Sequence, residues 1–321
     1  MAFMHHRNTS LDFLKLILSA FVVALHADFL IDYSPILNHF TVQGLFRVAV
    51  PTFFIISGYH FINVTNIDQL YIWCKRIFLL YIIWLLIYAP FWFSTISHDF
   101  NGLKRMFFLF ITGYHHLWYL PAMIGSGCLA FYFRGNVFLG SLASAILFIV
   151  GVVIQYVGNY KLVLSHSIFF DLDVNFLHRN FALFGFPFFY FGYLISYYGI
   201  PFRLKKSTVY LLLCLALTAY FFEVFINYFG ASVGGFDNYL MLFFLCPILF
   251  VFFCQVEINV GFGKAVSLLA AGVYFVHPYA IWFFGKIAEG RETVFSIYAF
   301  VFSMFLSIFI VKINNKVRCI L

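Results

Sequence analysis

The chain has 321 residues, of which 64% are hydrophobic and only 10% charged, with a mean hydropathy of +0.97. A soluble domain carries roughly 45–50% apolar and about 25% charged residues, so a water-soluble globule is excluded. The net charge of +7 follows from the loop charges counted below and needs no nucleic-acid partner.

Apolar runs of about 20 residues recur along the whole chain and predict an all-α, polytopic membrane bundle. The runs are continuously apolar and lack the alternation of barrel strands, which argues against a β-barrel. In chain order the spans are expected at residues 11–31, 44–64, 77–97, 117–133, 137–157, 181–199, 207–229, 238–255, 265–287 and 293–312. Together they make ten transmembrane helices in a single membrane-embedded domain, residues 1–321. The first run is long enough to span and no small-residue cleavage site ends it, so no cleavable signal peptide is expected. Segment 106–113 is too short to cross and reads as interfacial or re-entrant. No internal repeat stands out. The six cysteines (Cys74, Cys128, Cys214, Cys246, Cys254, Cys319) are scattered without a CxxC pair, which suggests apolar filler and no metal site or disulfide framework.

An even number of spans puts both termini on one side, and Lys/Arg placement chooses the side. With the termini cytoplasmic, inner loops and tails hold eleven: Arg7, Lys75, Arg76, Arg134, Arg203, Lys205, Lys206, Lys264, Lys312, Lys316 and Arg318. Outer loops hold six: Lys104, Arg105, Lys161, Arg179, Lys286 and Arg291. The bias favours both ends inside.

An ionisable side chain at mid-membrane costs about 2.5–3.5 kcal/mol on insertion scales, so each one inside a span is a functional hypothesis. The first span carries Asp12, Lys15, His26 and Asp28. Lys15 and His26 are eleven residues apart, three helical turns, so they share a face roughly 16 Å apart along the axis. Asp12 can neutralise Lys15 as an i,i+3 pair. The bland alternative has Asp12 and Lys15 snorkelling to the interface and His26 as a packing residue. The second span contains "RVAVPTFFIISGYH", residues 47–60, where Pro51 removes a backbone donor and kinks the helix. "HHLWYLPAMI", residues 115–124, places His116, Trp118 and Tyr119 at the outer entry of the fourth span, where an aromatic belt would also explain the two aromatics. Glu223 and His277 complete a set that, with His26, Arg47 and His116, falls in the outer half of the membrane. One polar cavity accounts for all five.

"RNTSLDFLKLILSAFVVALH", "RVAVPTFFIISGY", "HLWYLPAMI", "RNFALFGFPFFYFGYLI" and "VYFVHP", in that order, resemble the family-3 membrane acyltransferases. These include bacterial enzymes that O-acetylate lipopolysaccharide O-antigens and related glycans. The likeness runs from about residue 7 to residue 280. It implies an acyl-CoA donor, usually acetyl-CoA, as a substrate and no permanently bound cofactor. It also implies a sugar hydroxyl acceptor on a lipid-linked or polymeric glycan, in the bacterial inner (cytoplasmic) membrane. The family's catalytic histidine falls on His26, and its preceding basic residue, commonly arginine, is Lys15 here. The Arg-Val-Pro-Phe-Phe-Ser-Gly pattern falls on Arg47, Pro51, Phe53, Phe54, Ser57 and Gly58. The basic cluster for donor phosphates falls on Lys75 and Arg76, and Leu79 or Leu80 stands where many members carry another arginine. Larger relatives append a periplasmic esterase-like domain that this chain is expected to lack.

The expected site is therefore His26 with Lys15 and Asp12 for catalysis, and Arg47, His116, Trp118, Tyr119, Arg179, Glu223 and His277 for substrate. Lys75 and Arg76 are expected to hold the donor phosphates. A histidine with a pKa near 7 suits removal of a hydroxyl proton, and could instead carry the acyl group covalently. Three alternatives stay open: transfer of a larger acyl group such as succinyl to a glucan, transport of a lipid-linked glycan, or a membrane protein that has lost activity. Oligomeric state is not legible.

Overall fold

In hydrocarbon no water can pair backbone groups, so a buried chain must close its hydrogen bonds within helices. The computed structural model describes residues 7–97, 99–160, 174–230, 232, 234–258, 260–285, 290–317 and 320–321. Lys161, Lys286, Arg318 and Cys319 lie outside the described residues. Among these no strand occurs, and the eleven principal helices are α1 (Thr9–His26), α2 (Pro35–Asn63), α3 (Ile67–Ile87), α4 (Phe100–Thr112), α5 (Tyr119–Phe133), α6 (Val137–Asn159), α7 (Phe181–Tyr198), α8 (Lys206–Phe229), α9 (Leu242–Gln255), α10 (Gly263–Gly285) and α11 (Glu292–Val317). Eight of them (α1–α3, α6–α8, α10 and α11) are long and apolar enough to cross a membrane. The chain is thus an integral membrane protein built as a polytopic helical bundle. The other two expected spans are the 15-residue α5 and the 14-residue α9. The expected interfacial segment is part of α4.

Three expected boundaries move, each for a local reason. The third span, expected at 77–97, is Ile67–Ile87, with a further turn at Ala89–Trp92. Asn66 starts it by accepting from Gln69 N, while Gln69 Oε1 reaches back to accept from Thr65 N, a variant of the capping box displaced by one residue from the N-cap. Lys75 and Arg76 consequently sit inside a helix, exposed on its surface, and not in a loop. The first span, expected to reach residue 31, stops at His26 because Asp28 and Leu30 take φ of 47° and 66°, which no α-helix tolerates. The second span begins at Pro35 and passes through a π-helical turn, His39–Gly44, and a 3-10 turn, Leu45–Val48, before regular helix resumes at Ala49. The irregularity precedes Pro51. π-Turns are frequent at functional sites, and here one immediately precedes the 3-10 turn that carries Arg47.

Lipid is as apolar as leucine, so close packing and interhelical hydrogen bonds hold such helices together. A Cβ added to Gly58 of α2 would strike Phe189 O of α7, and one on Gly192 of α7 would strike Ile55 O. These two glycines let the backbones touch. Around them Phe54, Phe186, Phe188, Phe189 and Tyr190 are fully buried. On the other side α10 lies between α1 and α11. Ser19 Oγ donates to Ala270 O and Ser307 Oγ to Leu269 O, each at 2.9 Å.

Candidate functional site

Residue His26 is the last residue of α1, and its ring is met by two other imidazoles, those of His115 and His277, with His116 packed in turn against His277. Ring centroids lie 4.7 Å apart for His26 and His115, 5.3 Å for His26 and His277, and 4.9 Å for His116 and His277. Among the described residues no cluster has the arrangement of a metal site. The His26 and His277 rings stack face on, with planes 21° apart.

The sequence Val-His-Pro explains how His277 is held. Pro278 has no N–H, so the carbonyl of Tyr274 loses its helical donor. The Nδ1 of His277 lies 2.7 Å from that carbonyl. A carbonyl only accepts, so Nδ1 carries the proton and Nε2 is left as the lone-pair nitrogen. That Nε2, and both ring nitrogens of the buried His116, have no hydrogen-bond partner among the described residues. Buried polar atoms are rarely left so.

His115 sits on the turn His115–Trp118 with φ of 50°. A non-glycine residue there costs about 1–3 kcal/mol and marks a constrained position. The carbonyl of its neighbour His116 accepts from Tyr274 Oη at 2.6 Å.

A cavity of about 240 Å3 brings together His26, Arg47, His115, His116, Trp118, Arg179, Asp237 and Tyr274. Arg47 reaches it from the 3-10 turn of α2. Its Nη1 lies 2.5 Å from Asp237 Oδ1 and its Nη2 2.5 Å from Gln43 Oε1, and its Nε is buried without a partner among the described residues. Arg179 Nη1 is 3.4 Å and His178 Nε2 3.9 Å from Asp237 Oδ2. Burial by itself would raise the Asp237 carboxyl; the guanidiniums of Arg47 and Arg179 outweigh it and hold the carboxyl well below the usual range. Its backbone is fixed from α6, where Gln155 Oε1 accepts from both Asp237 N and Asn238 N.

Of the residues expected from sequence, His26, Arg47, His116, Trp118 and Arg179 line this one cavity, with His277 packed behind His26 and His116. Tyr119 lies beside it, its hydroxyl 3.3 Å from Ser57 Oγ. Glu223 stands apart: its oxygens accept from Leu240 N, Met241 N and Tyr156 Oη at 2.6–2.8 Å, which pins the loop that carries Asp237. Asp12 and Lys15 are at the other end of α1, where Arg7 Nε is 2.7 Å and Lys15 Nζ 3.5 Å from Asp12. Lys75 and Arg76 line a separate groove of about 320 Å3 on α3 with Leu79 and Leu80. Three cavity residues were not anticipated: His115, Asp237 and Tyr274. The His115-His116 doublet was a usable signal, as was an intramembrane arginine with no acidic partner in its own span.

The fold and site thus define an integral membrane protein whose apolar bundle encloses buried imidazoles and a charged pair around one internal cavity. The family model described as an acyltransferase domain matches residues 8–312, and the chain belongs to this family, the family-3 acyltransferases. Two curated relatives from Enterococcus faecalis, each named amino-acid racemase, are 30% identical over 226 residues and 31% identical over 131 residues. These stretches cover 64% and 38% of this chain and 31% and 19% of the racemases, so the chain spans about a third of the length of the relatives it matches. No solved structure matches the chain.

Proposed function

We propose that the protein is an O-acyltransferase that moves acetyl from acetyl-CoA to a sugar hydroxyl of a lipid-linked or surface polysaccharide. In this reading it sits in the bacterial inner membrane with both termini cytoplasmic. The observation that carries the reading is the placement of His26 in a cavity with Arg47 and two further histidines, in a chain of acyltransferase family. The acceptor oxygen forms a bond to the thioester carbonyl carbon while His26 takes its proton. The carbon–sulfur bond then breaks, and the proton leaves His26 for the CoA thiolate. The Nε–H of Arg47, without another partner among the described residues, suits the oxyanion formed in between. Mass spectrometry of surface polysaccharide from cells with and without the gene tests the assignment. A mass difference of one acetyl per modified sugar is expected, and an identical glycan refutes it.

On this reading Lys75 and Arg76 hold the CoA phosphates. They are paired on the exposed side of α3, where two flexible ammonium and guanidinium groups suit phosphate. Replacing both with alanine is expected to raise the KM for acetyl-CoA by about tenfold, the value of one lost charged hydrogen bond, with little change in acceptor KM. An unchanged donor KM in correctly inserted protein would leave them as orientation anchors only.

A further inference from the structure

The His26 cavity shares His115, Trp118 and Arg179 with a second, larger hollow of about 530 Å3, which lies between α4, the His115–Trp118 turn and the start of α7. No role assigned above uses this outer hollow. Its charge balance is informative. Asp237 is the sole acidic side chain lining either hollow among the described residues, against two guanidiniums, Arg47 and Arg179. One carboxylate neutralises one of them, and the shorter contact, 2.5 Å against 3.4 Å, gives that role to Arg47. With His26, His115 and His116 counted as neutral at pH 7, the walls keep one uncompensated positive charge, on Arg179.

Arg179 stands just before α7 and shares the Asp237 carboxylate with Arg47, so the excess positive charge of the walls lies on its side of the cavity. Its side chain is only 33% exposed and is held by the 3.4 Å contact with Asp237 and by the Trp118 ring, whose centre lies 5.1 Å from the guanidinium. The inner cavity, which the outer hollow adjoins through His115, Trp118 and Arg179, is also lined by His116, 3% exposed with both nitrogens unpartnered among the described residues. Trp118, Phe108 and Phe181 give the outer hollow aromatic walls of the kind that take the apolar face of a sugar ring.

We propose that the outer hollow is the acceptor subsite and that the acceptor is an anionic saccharide, its carboxylate or phosphate paired with Arg179 and its hydroxyl directed toward His26. A guanidinium fork pairs with either anion in bidentate fashion. The word acceptor rests on the acyltransferase reading; the anion site itself does not, so binding and transfer are measured separately.

The test uses the full-length protein in nanodiscs and calorimetric titration of three probes: methyl β-D-glucuronide, glucose 1-phosphate and the neutral methyl β-D-glucoside. At least one anionic probe is expected to bind about tenfold or more tighter than the neutral one, equivalent to one charged pair. Arg179→Gln should abolish that preference and Arg179→Lys should keep part of it, while the affinity for the glucoside stays within about twofold. The two anionic arms distinguish a carboxylate from a phosphate. Equal affinities, no binding of either anionic probe, or an intact preference in Arg179→Gln would overturn the proposal. So would displacement of the bound sugar by free CoA, because the anion site would then belong to the donor. Arg179-dependent binding without acyl transfer from acetyl-CoA would refute the acyltransferase reading and leave the anion site standing.

Discussion

Replacement of His26 by glutamine is expected to lower acyl transfer by about 10²–10⁴-fold, the usual value of a general base, with normal expression and membrane insertion. Glutamine keeps the volume and hydrogen-bonding capacity but cannot take a proton near neutral pH. His26 ends α1, and its ring is placed by stacking on His277 and by contact with His115, so the glutamine variant has no buried hydrogen bond to lose among the described residues. A structural role predicts the reverse pattern, less protein of unchanged specific activity. Steady-state transfer per milligram of inserted protein separates the two, and glutamine activity within threefold of wild type would end the assignment of His26 as base. His26→Ala should fall equally far. If imidazole added to the alanine variant restores transfer, proton acceptance and not packing is what His26 contributes.

The helices were legible because the solvent is apolar: a run of about 20 apolar residues has few ways to lie in a bilayer other than as a helix. Where a charged pair interrupts a run, hydropathy misplaces it. Lys75-Arg76 moved the third span ten residues toward the C-terminus, although Asn66 and Gln69 already spelled its start in capping chemistry. His26 was legible through resemblance and through its cost in the membrane. Its neighbours were less so. The positive φ of His115 is only faintly marked in the sequence, since histidine is enriched in that region far less decisively than glycine. Asp237 lies 190 residues from Arg47, and only the folding of α2, α6 and α8 around one loop brings them together. Glu223 shows the opposite failing. A carboxylate in a span was read as substrate-binding, and in the bundle its oxygens accept from the backbone of the Asp237 loop and from Tyr156, an equally demanding use of a buried charge.

That loop is where the largest loss of stability is expected. Asp237→Asn removes the only negative charge facing Arg47 and Arg179 among the described residues, and breaking a buried pair from one side typically costs about 3–5 kcal/mol because the remaining charge is stranded. Asp237 and Arg47 are 15% and 13% exposed, so screening by water removes only a small part of this. Thermal unfolding in detergent should show the loss as a markedly lower Tm. The double variant Arg47→Gln with Asp237→Asn has the same net charge at the site as the wild type, whereas the single Asn variant has one more positive charge. It should therefore recover much of the lost stability, and a recovery of less than about 0.5 kcal/mol, the limit of additivity for independent sites, would show that the pair is not coupled. The pH dependence follows from the depressed carboxyl. A group whose folded pKa lies below its unfolded value of about 3.9 stabilises above that value, and the contribution is lost only as pH falls through the folded value. Asp237 should thus add no slope to stability between about pH 5 and 9. Loss of the wild-type advantage over Asp237→Asn within that window would mean that the carboxyl titrates near neutrality, and that the two guanidiniums do not hold it charged.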